Sequence, residues 1–126
     1  MGNDCWCTLL LLADEATIQV LRKISSWYPA SADEYFTESF NIIQEGTSGL
    51  RIGMLTKWEP DYAHYNKLMA MYPDLWLKCT WSEEGGMAGV FVAYREEGEI
   101  KTKSLMWQEM CIEEEMARFG HGIDRT

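Results

Sequence analysis

Residues 75–104, LWLKCTWSEEGGMAGVFVAYREEGEIKTKS, hold the pattern on which the fold reading turns. In 75–82, Leu75, Leu77, Cys79 and Trp81 alternate with Trp76, Lys78 and Thr80. A period of two puts the first set on one face of a strand and the second on the other. Glu83-Glu84-Gly85-Gly86 and Glu96-Glu97-Gly98 are turn chemistry, because glycine supplies backbone conformations other residues avoid. They separate a second strand at 88–95 and a third at 99–104, which carries Lys101 and Lys103 on one side. The stretch therefore reads as a three-strand meander.

Working back toward the N-terminus, Tyr62, Tyr65, Leu68, Met69 and Tyr72 recur at helical spacing. Pro60 suits the first position of that helix and Pro73 stops it. Residues 50–57 alternate again, with Leu50, Ile52 and Met54 on one face and Arg51 and Lys57 on the other. Gly46-Thr47-Ser48-Gly49 is a turn. The stretch 31–45 carries two patterns. Ser31-Ala32-Asp33-Glu34 has capping-box spacing, whereas Phe36, Glu38, Phe40 and Ile42 alternate, and the reading taken is a loop and then a strand near 38–44. Asp14 is a good N-cap for a helix whose stripe is Ile18, Val20, Leu21, Ile24 and Trp27, ended by Pro29. Arg22 and Lys23 fall on its solvent side. Residues 5–12, CWCTLLLL, form a short continuous apolar run, as a strand covered on both faces requires. Beyond the meander, 106–119 is rich in Met and Glu and reads as a last helix, followed by a frayed HGIDRT tail.

The order is strand, helix, strand, strand, helix, strand, then a hairpin and a helix. The fold class expected is α+β: one domain over 1–126, a ferredoxin-like β-α-β-β-α-β antiparallel sheet with an added C-terminal hairpin and helix. Such a sheet carries helices on one face and leaves the other available.

Bulk composition narrows function. The 126 residues include 20 acids against 11 Lys and Arg, for a net charge of −9. Phosphate neutralisation supplies most nucleic-acid affinity, and no basic stripe is present, so direct nucleic-acid binding is disfavoured. Adhesion to an anionic membrane is disfavoured for the same reason. Leu9-Leu10-Leu11-Leu12 is too short to span a bilayer. It follows Asp4 rather than a basic segment and precedes Asp14 and Glu15, so it is not a secretory leader. Cytoplasmic residence and free thiols are the expectation for Cys5, Cys7, Cys79 and Cys111.

Several motifs form an ordered series: Ser39-Phe40-Asn41-Ile42-Ile43, Thr56-Lys57-Trp58-Glu59-Pro60, Tyr72-Pro73-Asp74-Leu75 and Glu83-Glu84-Gly85-Gly86-Met87-Ala88-Gly89. In order and spacing they resemble the YubB-like family of phage- and plasmid-encoded proteins, whose members carry an Api-like ferredoxin-like domain. The resemblance covers about residues 39–100. The start, Asn3-Asp4-Cys5-Trp6-Cys7, is similar to that family's N-W-C, with extra residues between and with Thr8 or Leu9 where an Asn is usual. The resemblance implies a mobile-element accessory protein and transfers no reaction.

Cys5 and Cys7 share a strand face, but a metal needs two further ligands, and Cys79, Cys111, His64 and His121 match no zinc spacing. Nothing orients either His toward a thiol as a base. Gly85-Gly86-Met87-Ala88-Gly89 lies between strands with acids ahead of it, which repels phosphate. No cofactor, metal or catalytic residue is expected. Residues 83–115 hold nine acids against three bases, the most acidic segment of the chain. Solvation explains much of that. The functional reading is a docking face for a basic partner, made of Glu83, Glu84, Glu96, Glu97 and Glu99, with Trp76 as an aromatic anchor if exposed. Met106, Met110, Met116 and Phe119 suit core packing, with a homodimer contact as the other role.

The function expected is therefore protein–protein binding to a host protein or complex, with inhibition of a host defence complex as its form, and no enzyme activity. The alternative is a small-molecule-binding regulatory module with an apolar pocket between the sheet and the last helix.

Overall fold

A computed structural model describes residues 4–23 and 39–106. Element order is β1 (Asp4–Leu12), α1 (Glu15–Leu21), β2 (Asn41–Glu45), β3 (Gly49–Lys57), α2 (Tyr62–Met71), β4 (Trp76–Glu83), β5 (Ala88–Glu96) and β6 (Glu99–Met106). The strands form a single curled antiparallel sheet in the order β2-β3-β1-β4-β5-β6.

The alternation seen in the sequence decides which face is buried. Cys5, Cys7, Leu9 and Leu11 of β1 line one face with Leu50, Ile52 and Met54 of β3 and Leu77, Cys79 and Trp81 of β4. Phe91 and Ala93 of β5 continue it. Both helices cover this face: Ile18 and Leu21 from α1, and Tyr65, Leu68 and Met69 from α2, join the same core cluster. The Phe91 ring meets Tyr62 and Tyr65 at centroid distances of 5.0 and 6.2 Å, tilted in both cases. Such tilted pairs add to the burial of their area.

Local chemistry fixes the helix ends. Asp14 caps α1, accepting from Thr17 N–H at 2.8 Å. Asp74, from the loop before β4, then accepts from the Asp14 backbone N–H at 2.5 Å and the Thr17 hydroxyl at 3.1 Å, tying α1 to that loop. Asp61 caps α2, so Pro60 sits ahead of the cap rather than at the first helical position. The other end of α2 receives the Arg95 guanidinium on the Met69 carbonyl, where the helix dipole favours a cation.

Four further expectations need correction. A four-stranded ferredoxin-like β-α-β-β-α-β domain with an appended hairpin is replaced by one continuous six-stranded sheet, with two helices of 7 and 10 residues among the described residues. The reason lies in the turns. Glu97 and Gly98 both have positive φ, the two-residue geometry that lets a hairpin follow sheet twist, so β6 extends the sheet. Second, α1 ends at Leu21 with Arg22 as its C-cap, short of Pro29, and Val20 points to solvent. Third, β2 spans Asn41–Glu45 instead of 38–44, with its register shifting between Ile42 and Gln44. Fourth, Met106, read as the start of a helix over 106–119, instead ends β6, and the rest of that helix lies outside the described residues, as do the capping box at 31–34, Cys111, His121, Met110, Met116 and Phe119.

Candidate functional site

The six residues read as a docking face separate into two groups. Cys5 pairs with Glu83 across β1 and β4, and the β4–β5 turn lies at that end of the sheet. The β5–β6 turn lies at the other end of β5, whose nine residues put the two turns about 27 Å apart at ~3.4 Å per residue.

At the first end the carboxylates have local work. Glu83 is only 8% exposed. Its Oε1 accepts from Met87 N–H at 3.2 Å, while its own N–H donates to the Met87 carbonyl at 2.8 Å. Glu84 Oε1 accepts from the Asp4 backbone N–H at 2.6 Å, joining the turn to the start of β1. Both side chains close this corner of the sheet. At the far end, Glu96, Glu97 and Glu99 stand exposed. Glu96 and Glu99 are directly opposed across the hairpin and share a face. Like charges so placed repel, and among the described residues only Lys101, 3.3 Å from Glu99, answers them. Trp76 is half-buried and opposite Leu12, on the sheet face away from the helices, at this same end.

Sequence reasoning missed a second constellation. Trp58 is 59% exposed, Trp6 50% and Met87 54%. Trp6 lies on the face away from the helices, opposite Leu55 and Ser82. Trp58 directly follows β3, whose last residue, Lys57, pairs with Asp4, and Met87 directly precedes β5. All three therefore stand at the Glu83 end. Beside Trp6 is an open hollow of about 300 Å³, lined by Trp6, Thr8, Thr80, Trp81, Ser82, Ala88 and Gly89. Trp58 has φ +70°, and Glu97, with φ +53°, is the other non-glycine residue in that region among those described. The left-handed region costs an L-residue about 1–2 kcal/mol. The missed signal was the turn Trp58-Glu59-Pro60, read only as part of an ordered motif and, at Pro60, as the start of a helix.

The thiols lie in the core. Cys5, Cys7 and Cys79 are free and buried. Cys5 and Cys7 Sγ atoms are 3.9 Å apart, and Cys7 Sγ is 3.5 Å from Thr56 Oγ1, whose hydrogen goes to the Glu59 carbonyl at 2.8 Å. Burial and the neighbouring Cys7 push Cys5 up to about 12. Donation from Cys79 draws Cys7 down to about 7 and pushes Cys79 itself upward. Burial keeps all three from solvent-borne reagents while the sheet is folded. Among the described residues no group of three His, Cys, Asp or Glu side chains is placed to hold a metal ion, and no helix is long and apolar enough to cross a membrane. His64 is half-buried on α2, and burial lowers its pKa.

No family model, curated protein or solved structure matches the chain.

Proposed function

We propose that this chain acts by binding a protein partner, with Trp58, Trp6 and Met87 at one end of the sheet as its anchors. Aromatic and Met side chains that stand out together are the residue types enriched in interface cores and hot spots. The observation that carries the reading is Trp58. A large apolar side chain is exposed, and it is held there by a backbone conformation that costs free energy and that glycine would adopt freely. Strain retained at an exposed position is motive for a contact hypothesis. The Glu96–Glu97–Glu99 turn adds an electrostatic element at the other end, suited to steering a basic partner. Inhibition of a host defence complex in the cytoplasm is the form of this action that the YubB-like motifs suggest. The order and spacing of those motifs are its support.

The test uses immobilised full-length chain, bacterial lysate and a salt series, with captured proteins quantified. Trp58→Gly keeps the backbone conformation and deletes the anchor, so its effect is separable from unfolding. Glu96→Lys/Glu97→Lys probes steering. A stoichiometric complex retained by the native chain and lost with Trp58→Gly supports the reading. Capture of nothing, or a complex indifferent to both variants, sinks it.

A further inference from the structure

β6 pairs with β5 on one edge, and its other edge meets no strand among the described residues. Such an edge presents a row of unpaired N–H and C=O groups, a template for another strand. Exposure here is two-sided: Thr102 and Ser104 on the helix-bearing face and Lys103 on the other are all exposed, and Ile100 is 38% exposed. The question is what strand fits.

Charge supplies the answer. Glu96, Glu99, Lys101 and Lys103 share the face away from the helices. Glu96 and Glu99 repel across the hairpin, Lys101 bridges to Glu99, and Lys103 makes no ion pair among the described residues. One chain thus holds a surplus carboxylate at the start of β6 and an unused ammonium four residues later. A second copy brought up antiparallel reverses that order and presents its ammonium to the carboxylate.

Symmetry restricts the registers. A two-fold axis perpendicular to the sheet keeps faces matched, so the axis must pass at a residue, and overlap of five or more β6 residues leaves centres at 101, 102, 103 or 104. Centring on Ser104 sets Lys103 against Leu105 and brings no opposite charges together. Centring on Thr102 sets Lys101 against the second copy's Lys103, twice. Centring on Lys103 opposes the two Lys103 side chains and leaves Glu99 beyond the overlap. Centring on Lys101 sets Glu99 against Lys103 of the second copy, twice, at the cost of one Lys101–Lys101 opposition. The shared face then holds four carboxylates and four ammoniums. Cross-strand pairs of opposite charge stabilise and like pairs destabilise, so charge selects this register.

We infer that the chain self-associates through β6, forming a two-fold dimer with a continuous twelve-stranded antiparallel sheet registered on Lys101. A five-residue overlap buries little area, so the dimer belongs to the weak, concentration-dependent class. It is separate from the Trp58 end of the sheet.

Sedimentation equilibrium on the full chain across a concentration series tests this. The expected result is a weight-average mass that rises from monomer toward dimer and falls back as salt is added. Lys103→Glu should weaken association at least tenfold, and Glu99→Lys/Lys103→Glu should restore it. Trp58→Gly should leave it unchanged, which separates failure of this inference from failure of the partner-binding reading. In a Cys111→Ser background, Lys101→Cys should cross-link under mild oxidation, because opposed residues sit about 4.5–5.5 Å apart. Lys103→Cys should not, its two copies being offset by four residues, about 13 Å. A monomer at every concentration, association indifferent to Lys103→Glu, or cross-linking at 103 in preference to 101 would overturn the inference.

Discussion

Gly89→Ala tests how β6 is held to the rest of the sheet. Gly89 lies on β5 opposite Met106, beneath the Trp81 ring. A Cβ at this position would stand 2.6 Å from the Leu105 carbonyl oxygen, 3.0 Å from Trp81 Cζ2 and 3.1 Å from Trp81 Cε2. The indole can give a few tenths of an ångström by turning. The carbonyl belongs to the β6 backbone, so relieving that clash moves the strand. Overpacking of this kind costs about 1–3 kcal/mol. Against it, replacing glycine narrows the unfolded ensemble and returns about 0.4–1 kcal/mol. The net expectation is a loss of about 1–2 kcal/mol, read from urea unfolding followed by tryptophan fluorescence and circular dichroism, which should coincide for a two-state domain of this size. Adding Trp81→Phe relieves the ring contact but not the carbonyl contact, so it should not rescue the variant. A Gly89→Ala protein within 0.5 kcal/mol of native would refute the reasoning, since β6 would then have room that the geometry denies it.

Three further outcomes are expected. Glu97→Asn should stabilise the fold by about 0.5–1 kcal/mol, because Asn tolerates positive φ in a two-residue hairpin turn and one repelling carboxylate is removed; urea midpoints measure it. Trp58→Gly should fold with stability within about 1 kcal/mol of native, relief of the left-handed conformation offsetting the greater freedom of the unfolded chain. Acidification should destabilise in two stages. His64 is held below its ordinary 6.5, so its contribution is complete above that pH and declines as pH falls toward the folded value. Asp74 is held below its ordinary 3.8 by the Asp14 N–H and the Thr17 hydroxyl, so its contribution is lost only as pH falls through that lower value. Urea midpoints between pH 8 and pH 2 should show both stages, and His64→Gln should flatten the upper one.

What was legible in the sequence follows from which interactions are local. Strand alternation is written residue by residue, so the buried sets Leu75, Leu77, Cys79, Trp81 and Leu50, Ile52, Met54 could be read directly, as could the Asp14 cap. The number of strands in the sheet could not. Element order is compatible with a hairpin that packs elsewhere, and the choice rests on Glu97 adopting a conformation that its own side chain disfavours. A search for good turn residues gives Gly98 full weight and Glu97 almost none, although both supply the positive φ. Helix α1 was overextended because Ile24 and Trp27 continue the stripe in the sequence, while periodicity does not report where backbone bonding stops.

The candidate site was partly hidden for a related reason. Acid counts in 83–99 treat Glu83 and Glu97 alike, yet one is buried and spends its carboxylate on the Met87 N–H, while the other projects from a turn at conformational cost. Exposure is a property of the packed sheet, and composition does not resolve it. Trp76 shows the converse. Its alternation places it on the face away from the helices, correctly, but the same pattern holds for Trp6, which is the more exposed of the two and stands at the same end of the sheet as Trp58 and Met87. Register across β1, β3 and β4 is therefore the information that assembles this patch, because it aligns Lys57 with Asp4 and Cys5 with Glu83. Three residues far apart in sequence are brought to one end of the sheet by pairing alone. A one-residue slip of β1 would turn Trp6 into the core and expose Cys5 and Cys7. The buried thiols and the exposed indole are thus two consequences of one register, and a probe of either reports on both.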